Sequence, residues 1–231
     1  PKPSPSMRPR TPYALMRVVS REMCPQCHLR SRLIQRMLVI RMDLATRVAK
    51  AAPKARVHYL EGNHEDRVER WVVDQTMRHT RDAEFLRGLL SPEFLLGLAE
   101  RGIAYYRRGE RYHGLEEPGM IKLGKILFVH ELNGGKHAAA SSVAQVAANV
   151  NFAHTHREDT ASLVLTGVGL VKAWNAGCLC VRQPLWRHSN PTNWSHGYGV
   201  EFVSKSEEFL HVNVPIWKGR SLMGSFLGGR S

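Results

Sequence analysis

Acidic residues are scarce in this chain: 20 Asp and Glu stand against 33 Lys and Arg, which leaves a formal net charge of +13. The shortage is most acute at the start. Residues 1–42 hold nine basic side chains and a single acid, Glu22, and the first aspartate of the sequence is Asp43. Cysteine is also rare, with four in 231 residues, too few for the disulfide framework of a small secreted scaffold. No apolar run is long enough to span a bilayer, and no apolar core of a signal peptide is seen, so a cytoplasmic protein with no membrane partner is expected. No internal repeat is present. The apolar share, 43%, is ordinary for a globular protein, and a chain of this length can bury one sizeable core.

What is there divides into three stretches. Residues 1–42 read as a basic N-terminal segment, poorly ordered or divergent; 1–12 are rich in Pro, Ser and Arg, and 13–27 show no clear period. Such a segment can contact nucleic acid through phosphates or remain a solvated tail. Residues 43–217 read as the folded domain, and 218–231 as a loose tail. Apolar spacing predicts helices over 31–52, 65–81 and 83–101. In the last, Phe85, Leu86, Leu89, Leu90, Phe94, Leu95 and Leu98 are core candidates, and Pro92 marks a break or a fresh start. Arg56–Leu60 is the first convincing strand. After Gly102 short strands follow at Ile103–Tyr106, Met120–Leu123, Lys125–His130, Phe152–His156, Ser162–Thr166, Leu170–Trp174, Tyr198–Val203 and Phe209–Pro215. Between them, Gly135 to about Val150 is an Ala-rich helix suited to close packing on a sheet, and 181–197 is an irregular loop.

Three strand ends carry residues that bind metals or move protons. The first is Gly62-Asn63-His64-Glu65, where glycine lets the backbone pass and the next three side chains offer an amide oxygen, an imidazole and a carboxylate. The second is His130, and the third is His154-Thr155-His156. On a strand, residues two apart face the same way, so His154 and His156 are expected to address one centre.

These elements, with Arg157 after the third and Asn175-Ala176-Gly177-Cys178, Asn193-Trp194 and Gly197-Tyr198-Gly199 downstream, resemble the calcineurin-like metallophosphoesterase family in its bacterial and phage forms. The resemblance runs from about residue 43 to 217. It implies an α/β fold, a two-sheet sandwich flanked by helices. It also implies hydrolysis of a phosphomonoester or phosphodiester by a hydroxide activated between two divalent ions about 3.5–4 Å apart. Carried over, Asn63, His130 and His154 are ligands of one metal and His156 of its neighbour. His64 is the catalytic residue, stabilising the transition state and protonating the leaving oxygen, and Arg157 is a candidate substrate contact. The cofactor is Mn or Zn, with Fe or Mg open; the partner is a phosphate ester, chosen by loops near 103–120 and 181–197.

The family pattern also includes Asp-x-His and Gly-Asp-x-x-Asp upstream of Gly-Asn-His, and residues 1–60 contain neither. This fits a first βαβ unit that is missing, truncated or replaced. The four remaining ligands are neutral, which disfavours hard cations and suits Zn²⁺ better. Ala153 stands where the family has a glycine. The alternative expectation is a catalytically weakened relative that binds nucleic acid or a protein through its basic N-terminus.

The other clusters have plainer readings. Cys24-Pro25-Gln26-Cys27-His28 matches a haem-attachment spacing, and with Cys178 and Cys180 could make a four-cysteine zinc site; reduced thiols are the preferred reading. His58, His79, His113, His188 and His211 are expected as core or surface residues, Trp71, Trp174 and Trp194 as core or pocket walls. His137 and His196 lie close enough to the matched motifs to stay candidates.

Overall fold

In the computed structural model the described residues are 13–15, 47–48, 50–67, 70, 88–184, 191–221 and 223. Most of the basic N-terminal segment lies outside them. So do Asp43, Cys24, Cys27, His28, Trp71, His79 and His188, most of the helices expected over 31–52 and 65–81, and the end of the chain.

The fold is mixed α/β, with several sheets and few helices. Three sheets are present among the described residues, where two were expected. The first is parallel and holds β1 (Tyr13–Leu15), β2 (Arg56–Leu60) and β3 (Ala104–Tyr106) in that order. β1 pairs with β2 from Tyr13↔Arg56 to Leu15↔His58. A strand therefore precedes β2 in the sheet, although no period was legible there: three residues carry too few alternations to show one. Val57 and Tyr59 are buried in the middle strand. They pack with Leu96, Leu98 and Ile103.

The region expected to be helical over 83–101, with a break or fresh start at Pro92, holds within its described part helical residues 88–89 and then two short turns. Helix α1 (Pro92–Leu95) starts with Ser91 as its cap, Oγ accepting from Phe94 N at 3.2 Å, and with Pro92 in the first turn. That is the fresh start the proline allows. Gly97 at φ 55° ends it, and a single 3₁₀ turn, Ala99–Arg101, follows. The break rotates the face: Leu96 and Leu98 reach the core while Phe94 is 60% exposed, contrary to its expected burial.

The second sheet is mixed, in the order β4 (Met120–Leu123), β5 (Ile126–Val129), β6 (Val150–Asn151), β8 (Gly169–Ala176), β7 (Glu158–Leu165). Helix α2 (Ala138–Val146) packs on it. Ala138, Ala139, Ser142 and Val143 are buried, and Ala138, Ala139 and Val143 share a cluster with Val150, Phe152, Val171 and Ala173. The expected close packing of a small-residue helix is what the structure shows. The third sheet is antiparallel, β9 (Gly197–Val203), β10 (Phe209–Trp217) and β11 (Arg220–Ser221). Its last strand closes a hairpin on β10 at Trp217↔Arg220, so the expected loose tail begins with ordered residues. Trp174 joins the second and third sheets, meeting Phe209 edge-on at 5.8 Å and His211 stacked at 4.6 Å. Among the described residues no helix is long and apolar enough to cross a membrane.

Candidate metal centre

β2 delivers the Gly-Asn-His-Glu loop, and two buried carboxylates hold it. Glu61 accepts from Tyr105 Oη at 2.5 Å and from Arg108 N at 2.7 Å. Glu65 accepts from Tyr59 Oη and from Gly62 N, both at 3.1 Å. Burial and the bond to Glu61 push the Tyr105 hydroxyl far above its ordinary pKa, so it stays a donor. Gly62 keeps space for its neighbours: a Cβ there would lie 2.7 Å from Glu65 Oε2 and 3.0 Å from His130 Cε1, so both side chains would have to shift. Residues 63–67 are helical, with Asn63 buried and His64 half-buried beside it.

His130 follows the last residue of β5. Its Nε2 stands 3.0 Å from Asn63 Oδ1, and its ring meets His154 edge-on, centroids 5.6 Å apart. The structure thus brings together Asn63, His130 and His154, three expected ligands from three distant segments. His154 Nε2 lies 3.1 Å from Glu131 Oε1, and the other oxygen of Glu131 takes Arg108 Nη2 at 2.6 Å. Burial lowers the pKa of His154 below 6.5; Glu131 opposes this, while Arg108 and Arg67 add to it. The net direction favours the neutral imidazole, the form that binds metals.

His156 takes a different place. The strand expected over Phe152–His156 ends at Asn151, and both histidines have left-handed backbones, φ 74° for His154 and 61° for His156. Contrary to expectation, His154 and His156 are not strand residues, so alternate facing does not turn their side chains toward one centre. The loop is folded by Asn175, a fully buried residue. Its Nδ2 donates to Ala153 O and Thr155 Oγ1, both at 2.9 Å, while its Oδ1 accepts from Gly177 N at 3.0 Å. The turn sets His156 Nδ1 3.7 Å from Cys180 Sγ, with the Trp194 ring edge-on at 4.2 Å. Among the described residues, His, Cys, Asp or Glu ligand atoms close within 4.8 Å of one another at one place: His156, Cys178 and Cys180. These three could hold a metal ion.

The remaining candidates have structural contacts. Arg157 donates to the carbonyls of Gly135 and Lys136, strapping down a loop whose Gly134 lies against the His154 ring. His137 is the residue before α2. His196 Nε2 donates to Cys180 O at 2.7 Å.

Sequence reasoning missed Glu131, Arg108 and the two cysteines as site residues. Glu131 had a signal, its adjacency to His130. Cys178 and Cys180 were weighed only together with Cys24 and Cys27. No protein-family model, no curated protein and no solved structure matches this chain.

Proposed function

We propose that the chain is a metal-dependent phosphoesterase of the calcineurin-like type, in which Asn63, His130 and His154 hold a catalytic divalent ion. The observation that carries this is the 3.0 Å approach of Asn63 Oδ1 to His130 Nε2 across 67 residues of sequence. Two neighbouring ligands of one octahedral ion with bonds near 2.1 Å sit about 3 Å apart, so the pair already has ligand spacing. The donor set supports the fit: an amide oxygen and imidazoles suit Zn²⁺ best, and the harder Mn²⁺ is open where Glu131 supplies negative charge, as are Fe²⁺ and Mg²⁺. Glu131 adds the carboxylate that residues 1–60 do not provide at a recognisable motif. It orients His154 and offsets cationic charge, as second-layer carboxylates do for metal-binding imidazoles. His156, with its cysteine neighbours, is the candidate for a second ion.

A divalent ion held there would supply a nucleophile from water at neutral pH and positive charge for the phosphoryl oxygens. The chain's own residues do the rest. The helical stretch that begins at Asn63 carries the half-buried His64 next to it in sequence, placed to give a proton to the leaving oxygen. Arg67 and Arg108, whose charges already act on His154, make the surroundings attractive to a phosphate ester. Arg157 keeps the adjoining loop in place, and any contact of its own with substrate would be additional to that work.

The test is hydrolysis of an aryl phosphodiester and an aryl phosphomonoester by chain reconstituted with Mn²⁺ or Zn²⁺. Turnover should need metal. Asn63→Ala should lose both metal and turnover, while His64→Ala should keep its metal and lose about 10²–10⁴ in kcat. Metal binding with no turnover of either ester, and no effect of His64→Ala, would sink the reading.

A further inference from the structure

We infer that His156, Cys178 and Cys180 form a thiolate zinc site of their own, whose binding of Zn²⁺ does not depend on the chain being a phosphoesterase. The side chains are 7%, 1% and 8% exposed, and the two cysteines are thiols with no disulfide between them. Two sulfurs and an imidazole are a soft donor set, one that favours Zn²⁺ over Mn²⁺ or Mg²⁺.

The spacing fits. With Zn–S near 2.3 Å and Zn–N near 2.05 Å, tetrahedral ligands lie about 3.6 Å apart for sulfur and nitrogen and about 3.8 Å for two sulfurs. Cys180 Sγ and His156 Nδ1 are already 3.7 Å apart, and all three ligand atoms lie within 4.8 Å of one another. Closing on an ion requires movements of ångström size at most.

The backbone holds these ligands before any ion arrives. One segment, 195–197, is bonded to all three. Ser195 N donates to His156 O at 3.0 Å, Cys178 N donates to Ser195 O at 2.8 Å, and Gly197 N donates to Cys178 O at 3.2 Å. His196 Nε2 reaches Cys180 O at 2.7 Å. Gly177 makes the close approach possible: its φ is 93°, and a Cβ would lie 2.4 Å from Ser195 O. His156 itself sits at φ 61°, a conformation that costs an imidazole-bearing residue free energy and persists only where the surroundings impose it. Ligands fixed in this way lose little conformational entropy on binding. Three protein ligands leave a fourth position on a tetrahedral ion for water or another donor.

The test uses the full chain with Cys24→Ser and Cys27→Ser, so that Cys178 and Cys180 are the remaining thiols. Co²⁺ added in place of Zn²⁺ should give intense near-ultraviolet thiolate-to-metal charge transfer, and excess Mn²⁺ should not remove it. Zn²⁺ should protect both thiols from a disulfide-exchange reagent until a chelator is added. Cys180→Ser should abolish the charge-transfer band, while Asn63→Ala should leave it. Because Cys180→Ser can fail to fold for its own reasons, the spectrum and the thiol protection of the unmutated pair decide the matter. A cobalt complex without charge transfer, or thiols equally reactive with and without zinc, would each overturn the inference. No metal-dependent hydrolysis by the chain with Asn63, His64 and His130 intact, with the band present, would count against the phosphoesterase reading alone.

Discussion

Two groups of ligand-type side chains stand on either side of Thr155, and they are built on different principles. Asn63, His130 and His154 come from the ends of β2, β5 and the loop after β6. They carry nitrogen and oxygen donors, and they are surrounded by charge: Glu131 and Arg108 are paired at 2.6 Å, and Arg67 acts on His154. His156, Cys178 and Cys180 offer one imidazole and two sulfurs, are buried, and are all bonded to segment 195–197. The first group meets through side chains and lies among charged residues. The second is held by main-chain bonds at His156 and Cys178 and by the His196 side chain at Cys180 before a ligand arrives. Asn175 is what the two share, since its amide ties Ala153 and Thr155 on one side to Gly177 on the other.

The comparison breaks most visibly under reciprocal substitution. His130→Ala should lower Mn²⁺-supported hydrolysis by at least about 10²-fold, the scale of removing a metal-orienting group, and leave the thiolate–cobalt spectrum unchanged. Cys178→Ser should do the reverse to the spectrum and spare Mn²⁺ binding. Metal titrations with both probes on both variants check this; if each substitution removes both signals, the two groups are one centre.

A smaller effect sharpens the hinge between them. Asn175→Ala leaves buried partners of three hydrogen bonds unsatisfied, and should destabilise the fold by about 3 kcal/mol, since each orphaned buried group costs about 1–3 kcal/mol and partial relaxation recovers some. Chemical denaturation measures it. Weakened binding at both groups, in protein still folded, is the expected companion, because both His154 and His156 sit on the loop that Asn175 holds.

The smallest effect is on pH. The folded environment of His154, burial first, lowers its pKa below 6.5, and that of His58 does the same through burial, then His113 and Arg56. The unfolded chain therefore takes up protons at these sites before the folded chain does. Their contribution to stability is present above pH 6.5 and lost as pH falls toward the lower folded-state values. In chelator-treated protein the urea midpoint should fall on going from pH 7.5 to 5, and more shallowly in His154→Gln. Equal slopes would show that His154 takes no part.

Much of the fold was legible because it is local. Val57-His58-Tyr59-Leu60 and Ile126-Leu127-Phe128-Val129 are apolar, β-favouring runs, and both are strands. The small residues of α2 announced close packing. The approach of Asn63, His130 and His154 was also expected, from a resemblance in motif order rather than from any local pattern. What failed were statements resting on extrapolated regularity. Phe94 was placed on a helical face that Gly97 interrupts, and His156 on a strand that stops five residues earlier.

The sequence by itself determined the longer apolar strands such as β2 and β5, the Ala-rich helix and the residue types at the strand ends, because each follows from side-chain volume, polarity and alternation over a few neighbours. Tertiary structure alone decided that His156 faces Cys180 across 24 residues and that Glu131 holds both His154 and Arg108. Those pairings depend on left-handed turns at His154 and His156, imposed by the buried amide of Asn175 twenty residues downstream of Thr155. A backbone conformation that opposes the residue's own preference is maintained by contacts distant in sequence, and no local pattern carries it.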